Sequence, residues 1–423
     1  MNDGNSAGSD KASELGCIYC GLHRPFNDEH VFPAGLGGDD RAFMLRGLVC
    51  ETCNSETFSR MEAGLMRNSP EAFARIHSQP QGRKRKKSSG GPKFQPESIT
   101  IFLPEGGDAE AEIRAGGQVA LLPQFSLREN QVKGQGSEAS ELKQFATGLQ
   151  TIFREDSLSL VTKTACEDGV HYDTLTVQWD GTCYQEAGRS VSSKPPETCI
   201  WKDQRPNDDV PDRPHRIFRR SGGQIVLRAG DKDTDSQFLT ILRRNCEQVM
   251  GAANNAGPGT SITGAPIMVQ MNASFIDRER VLAKIGLNLC AHIFGGSFVR
   301  QECFDEIKLS ILTGSKPIAS KDHHPQHLNG EDMITRILSA TPPRHHLCLL
   351  TAGPLPDGAC AIVFAIQLYG GVFTSVTLTE SASFSLSGTP IFLLVDYLNH
   401  KLNVLSSGDF VIKYLMPGQP GSA

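Results

Sequence analysis

No uninterrupted apolar stretch in the 423 residues reaches membrane-spanning length, so nothing here reads as a transmembrane helix. The opening segment "MNDGNSAGSDKASELG" has no apolar centre and does not read as an export signal; residues 1–14 are expected to be a disordered lead-in. Positive charge is not in surplus. The 42 Lys and Arg against 47 Asp and Glu give a formal net charge of −5, which argues against a generally cationic nucleic-acid coat. Contact with phosphates would have to use local basic patches. Internal repeats are missing, as are Walker and dinucleotide-type glycine fingerprints. What is left is an ordinary globular composition, 39% hydrophobic and 21% charged, in a chain long enough for two or three domains.

Cysteine, by contrast, is plentiful, with twelve residues. Four stand in two Cys-x-x-Cys pairs, Cys17 with Cys20 and Cys50 with Cys53. The others are scattered, several in apolar patterns such as Cys290 in "LNLCAHIF", where a thiol acts as a small hydrophobe. Without an export signal, a reduced compartment is the simpler expectation, so the location expected is cytoplasmic.

Along the chain, the paired cysteines are followed by "SETFSRMEAGLM", where Phe58, Met61 and Leu65 share one helical face. Asn54 falls at the start of that helix, a position where Asn often serves only as a cap. A Pro/Gly/Ser-rich stretch over residues 79–96 contains the run Arg83, Lys84, Arg85, Lys86, Lys87 and marks a boundary. Beyond it, "SITIFLP" and "TLTVQWDGTCY" alternate like strands, and "SELKQFATGLQTIF" puts Leu142, Phe145, Leu149 and Ile152 on one helical face. Further helices are expected over roughly Asp235 to Met250 and Asp277 to Phe294, the latter stopped by Gly295-Gly296, with a short one ending at Gly314. From His346 onward the pattern is that of strands. The fold class expected is α+β: a small metal-stapled domain over 15–78, then a larger mixed α+β body over 97–423 with a β-rich C-terminal part.

Four thiolates in two Cys-x-x-Cys pairs are the usual ligand set of tetrahedral Zn²⁺, and such a closed site is structural. The gap from Cys20 to Cys50 is longer than in a compact zinc ribbon and holds "NDEHVFPAGLGG". On a short extended segment Glu29 and His30 point in opposite directions, so the two side chains serve different ends. Glu29 with Asn54 makes a sparse oxygen site for Mg²⁺ or Mn²⁺, leaving water and phosphate oxygens to complete the shell. His30 is the candidate general base, since the unperturbed pKa of a histidine lies near working pH.

These residues resemble the HNH, or ββα-metal, endonuclease superfamily, in the branch stapled by four cysteines on zinc. The family pattern is Cys-x-x-Cys, Asp/Glu-His with an aliphatic and often a Pro, Gly-Gly, then Cys-x-x-Cys-Asn/His. This chain reads Cys17, Cys20, Glu29-His30-Val31-Phe32-Pro33, Gly37-Gly38, Cys50, Cys53-Asn54, and the resemblance covers residues 15–77. It implies that Glu29 and Asn54 hold the catalytic cation and that His30 is the base. The chain departs from the pattern twice: Glu29 stands where Asp is common, and no Asn follows Gly37-Gly38 to orient the histidine-bearing loop, a task left to another group such as a backbone carbonyl.

The function expected is thus metal-dependent hydrolysis of DNA, with RNA the alternative substrate. Double-strand cutting by a single-site enzyme would need a homo-oligomer. The C-terminal body would target or regulate the nuclease, through a signal or a regulatory protein, as in a bacterial anti-phage effector. The competing expectation is a non-catalytic zinc knuckle that binds nucleic acid or a partner protein. Three other clusters are candidates. The run Arg83 to Lys87 suits a phosphate backbone. Arg213, Arg216, Arg219, Arg220 and Arg228 with Phe218 offer a second nucleic-acid surface. His323, His324 and His327 invite a metal reading in what looks like a polar loop, and His23 reads as a loop residue.

Overall fold

The computed structural model describes residues 15–79, 91–104, 107–128, 131–166, 169–203, 215–228, 234–256, 264–324, 332–383, 386 and 388–416. The expected lead-in, the run Arg83 to Lys87 and His327 lie outside them. Contacts divide the chain into two compact units, one of Met1–Glu97, Arg114–Gly117 and Met271–Ala423, the other of Ser98–Ile113 and Gln118–Gln270.

The first unit begins with an antiparallel pair, β1 (Phe26–His30) and β2 (Met44–Cys50). The ladder slips between Asn27, opposite Val49, and Glu29, opposite Leu45. Gly47, at φ 65°, takes up the slack in the left-handed region that other residues enter at a cost. The chain then enters a helix wound at wide π pitch over Thr52–Phe58 and continuing as α1 (Ser59–Arg67). Phe58, Met61 and Leu65 are all buried, as their spacing predicts. A turn capped by the Ser69 hydroxyl leads to α2 (Pro70–Ser78).

The second unit runs β3 (Ser98–Phe102), β4 (Asp108–Ile113), β5 (Val119–Leu121), β6 (Gln124–Arg128), β7 (Gln131–Gln135), α3 (Ala139–Ile152), β8 (Ser157–Cys166) and β9 (Gly169–Trp179). It continues through β10 (Tyr184–Ser192), β11 (Ile200–Lys202), β12 (His215–Arg219), β13 (Ile225–Arg228), α4 (Thr234–Arg244), α5 (Cys246–Asn254) and β14 (Ile267–Gln270). An eight-stranded sheet is ordered β10-β9-β8-β11-β13-β12-β6-β7, and a four-stranded one β14-β3-β4-β5. Leu142, Phe145 and Leu149 pack with Phe125, Val177 and Phe238 in one core. The single helix expected over Asp235 to Met250 is two. Asn245 leaves the helical conformation, and its side-chain amide donates to the Ile241 carbonyl at 2.8 Å, competing with the backbone ladder.

Back in the first unit come α6 (Phe275–Phe294), capped by Ser274, and α7 (Asp305–Thr313), ended by Gly314 at φ 67°. They precede β15 (Ser320–His323), α8 (Met333–Ala340), β16 (His345–Pro354), β17 (Cys360–Gln367), β18 (Phe373–Ala382), β19 (Ile391–Asp396) and β20 (Lys401–Ser406). These strands make a six-stranded antiparallel sheet, β15-β18-β17-β16-β19-β20. The helix α6 is buried all round from Arg280 to Ala291. One continuous core joins Phe32, Val49 and Phe58 of the N-terminal segment to Leu282, Ile285 and Leu289 of α6 and Phe364 and Val376 of the sheet.

That core redraws the expected domain plan. Residues 15–79 do not stand apart from a body beginning at 97; they share a unit with 271–416, and residues 98–270 form the other unit apart from 114–117. A hairpin and one helix expose an apolar face too large to leave in water, and α6 covers it. The expected Arg-rich surface is corrected as well. Arg216 and Arg228 are buried and ion-paired, and Arg213 lies outside the described residues. His323 is the last residue of a strand rather than part of a loop, with Nε2 3.3 Å from the Ser375 hydroxyl.

Candidate metal centre and active site

Cys17 and Cys20 sit in the turn before β1, Cys50 ends β2, and Cys53 lies in the first turn of the following helix. Their four sulfurs lie within 4.8 Å of one another. The Sγ atoms of Cys17 and Cys53 are 4.0 Å apart and those of Cys20 and Cys50 3.7 Å. A disulfide needs about 2.05 Å. Four metal–sulfur bonds of about 2.3 Å at tetrahedral angles put the sulfurs roughly 3.8 Å apart, which these separations match. The backbone N–H groups of Tyr19 and Cys50 point at the Cys17 sulfur from 3.5 and 3.4 Å, the kind of donor that steadies a thiolate. The four cysteines can therefore hold a metal ion, and in doing so would tie the hairpin to the helix.

The helix starts at Thr52, so Asn54 lies inside it and makes no capping bond. Its Nδ2 instead donates to the main-chain carbonyl of Asp28 at 3.1 Å, next to the ladder slip. The helix start and the end of β1 are thereby joined by one side chain, and the amide's Oδ1 takes no part in that bond. His30, the last residue of β1, is partly exposed, with Nε2 4.0 Å from Oδ1 of Asp39, the residue directly after Gly37-Gly38.

Glu29 points the other way, as alternation requires. Only 4% exposed, it is ion-paired with Lys284 of α6 and accepts from Nδ2 of Asn288 at 3.2 Å. Lys284 is fully buried, pairs also with Glu62 of α1 at 2.5 Å, and lies over the Phe58 ring. Burial pushes the Glu29 carboxyl above the usual carboxylate range, with Lys284 only partly offsetting it. For Lys284, burial works against the charge, but the two carboxylates outweigh it and hold the ammonium protonated. The carboxylate expected to share a cation with Asn54 is thus engaged by an ammonium from the C-terminal part of the chain.

The loop between the strands is gripped from the C-terminal sheet. A Cβ on Gly37, at φ 102°, would sit 2.5 Å from Cα of Tyr397, and one on Gly38 would sit 2.1 Å from the Phe32 carbonyl oxygen. Both motif glycines are therefore required by close approach. Beside them, His346 is fully buried between Phe32, Tyr369 and Tyr397. Its Nδ1 accepts from the Tyr369 N–H at 3.1 Å, so Nε2 carries the proton donated to the Leu36 carbonyl at 3.0 Å. Burial pulls its pKa down to about 3, and it stays neutral as a structural pin.

Sequence reasoning did not single out Lys284, Asn288, Glu62, Tyr19 or Asp39. A signal existed for two of them: Lys284 and Asn288 stand four residues apart in "VLAKIGLNLC", two polar groups on one side of an otherwise apolar helix. Among family models, curated proteins and solved structures, none matches the chain.

Proposed function

We propose that the N-terminal part of the first unit is an HNH-type nuclease centre and that the chain hydrolyses phosphodiester bonds of DNA with a divalent cation. The observation that carries this reading is the Asn54 to Asp28 hydrogen bond, which holds the helix start beside the strand end that bears His30. In the proposal Cys17, Cys20, Cys50 and Cys53 hold structural Zn²⁺. His30 takes the proton of the attacking water, and Asp39 beside its Nε2 favours the imidazolium that results. Asn54, joined by Glu29 once that carboxylate leaves Lys284, would hold Mg²⁺ or Mn²⁺, whose chemistry is to stabilise charge on the phosphoryl group and leaving oxygen. Because Glu29 must give up a buried ion pair, the cation is expected to bind weakly. The rest of the chain is assigned targeting or restraint of this centre, the arrangement of an anti-phage effector.

A second reading has an observation in its favour. Glu29 is already neutralised by Lys284, which suits a non-catalytic zinc module that binds nucleic acid or a protein. One assay separates the two. The full chain is stripped of loosely bound cations with a mild chelator and offered supercoiled plasmid, single-stranded DNA and RNA, with Mg²⁺ or Mn²⁺ then added back. Cleavage that returns with the cation supports the nuclease. Binding without cleavage on every substrate and cation overturns it in favour of the module.

A further inference from the structure

We propose that Asn288, from the middle of α6, is the positioning residue for His30, so that the base is oriented by a part of the chain 258 positions away. This rests on the nuclease reading of the site. The carboxamide of Asn288 has three bonds, each to a different part of the centre. Its Nδ2 donates to the His30 main-chain carbonyl at 3.1 Å and to Glu29 Oε1 at 3.2 Å. Its Oδ1 accepts from the Tyr19 hydroxyl at 2.6 Å, and Tyr19 stands between the metal-site cysteines Cys17 and Cys20.

The residue is fully buried in a helix whose other buried residues on this stretch, apart from Arg280 and Lys284, are apolar or glycine, and an unpaired amide there would be costly. It is satisfied because two hydrogens on one planar group meet two consecutive residues of β1. That geometry fixes the peptide plane of His30 at the point where β1 ends, and with it the direction in which the imidazole is presented. The following N–H, of Val31, is held in the hairpin by the Phe43 carbonyl at 3.1 Å, so the His30 to Val31 peptide is pinned on both sides. The loop after Gly37-Gly38 has no Asn to do this. The amide that does so comes instead from α6, and a nuclease module cut away from α6 would have a loose base.

The test uses the full chain and supercoiled plasmid with Mg²⁺. Asn288→Asp keeps the shape and the acceptor for Tyr19 but removes both donors; Asn288→Ala is its companion. In each, kcat is expected to fall about 100-fold, the scale of a misplaced catalytic group, while KM and bound zinc hold. The discriminating arm uses His30→Gly with added imidazole, a base that β1 does not hold. There Asn288→Asp is expected to cost nothing further, because its effect runs through His30. An equal loss in both backgrounds means a general structural role and overturns the proposal, as does a variant at the parental kcat. A parental chain that cleaves nothing with any cation sinks the nuclease reading and this proposal with it, a result distinct from active parent with active variant.

Discussion

Two ion clusters, one in each unit, differ in how their charges add. In the second unit Arg216 reaches Asp108 at 2.8 Å and Glu110 at 3.1 Å, Arg228 reaches Glu110 at 2.5 Å and Asp203 at 2.6 Å, and Arg220 joins Asp203 at 3.3 Å. In these pairs three guanidinium groups meet three carboxylates, with Arg220 and Asp203 on the partly exposed edge. In the first unit a single ammonium, Lys284, stands between Glu29 and Glu62. With both carboxylates ionised that set carries one negative charge too many; burial raises Glu29, Lys284 opposes the rise, and the Glu62 charge adds to it. A balanced buried cluster is a matter of folding. The Lys284 set shares the Asn288 amide with the main chain of His30, and perturbed groups of this kind gather at functional sites.

The comparison is broken most severely at the four-cysteine cluster, which among the described residues belongs to the first unit. Cys53→Ser is expected to release the metal, unfold the hairpin and helix and abolish cleavage, because so small a segment has little core of its own. Metal analysis beside calorimetry, with the second unit's transition retained, checks this; a variant that stays folded and active contradicts it.

Next comes Lys284→Met, expected to cost about 3–5 kcal/mol by leaving two buried carboxylates without their cation. Its pH dependence sharpens the point. The raised pKa of Lys284 means that its stabilising effect is present below the free-lysine value of about 10.4 and is lost as pH rises above it. Without Lys284 the Glu29 carboxyl rises further, so the folded state binds more protons than the unfolded one above about pH 4.3. Stability of the variant is then expected to fall as pH rises from about 5 to 8, in urea titrations where the parent changes less. A loss that is the same at every pH would contradict the surplus-charge picture.

Arg216→Met in the balanced cluster is expected to cost less, about 1.5–3 kcal/mol, because Glu110 keeps Arg228. Metal content and cleavage should be unchanged. Smallest in stability is Asn54→Ala, about 0.5–1.5 kcal/mol for one half-exposed hydrogen bond, since no helix cap is lost. Most activity should nevertheless go, with the four-cysteine metal retained. Thermal midpoints and plasmid cleavage on the same preparations test both.

Local chemistry was legible in the sequence and long-range closure was not. The Cys-x-x-Cys pairs, the face of Phe58, Met61 and Leu65, and the strands after His346 are written in spacings of two to four residues, and the structure forms each of them. Helix α6 was legible as a helix, yet its partner was not, because its apolar residues say only that something covers them. The sequence pairs Glu29 with Asn54 as a carboxylate in the gap between the cysteine pairs and an amide directly after the last cysteine. The actual neighbour of Glu29, Lys284, is a lysine four residues before an Asn in a far segment, and nothing local links them. The arginines near residue 220 looked like a surface because their carboxylate partners sit on β4 and β11 and around them, remote in sequence.

The most direct measurement is plasmid nicking by His30→Ala against the parental chain in Mg²⁺, with metal content and thermal midpoint taken from the same samples. The expected result is loss of cleavage while the four-cysteine metal and the midpoint stay parental. A His30→Ala chain that nicks at the parental rate would contradict the assignment of the base, and with it the nuclease reading of this centre.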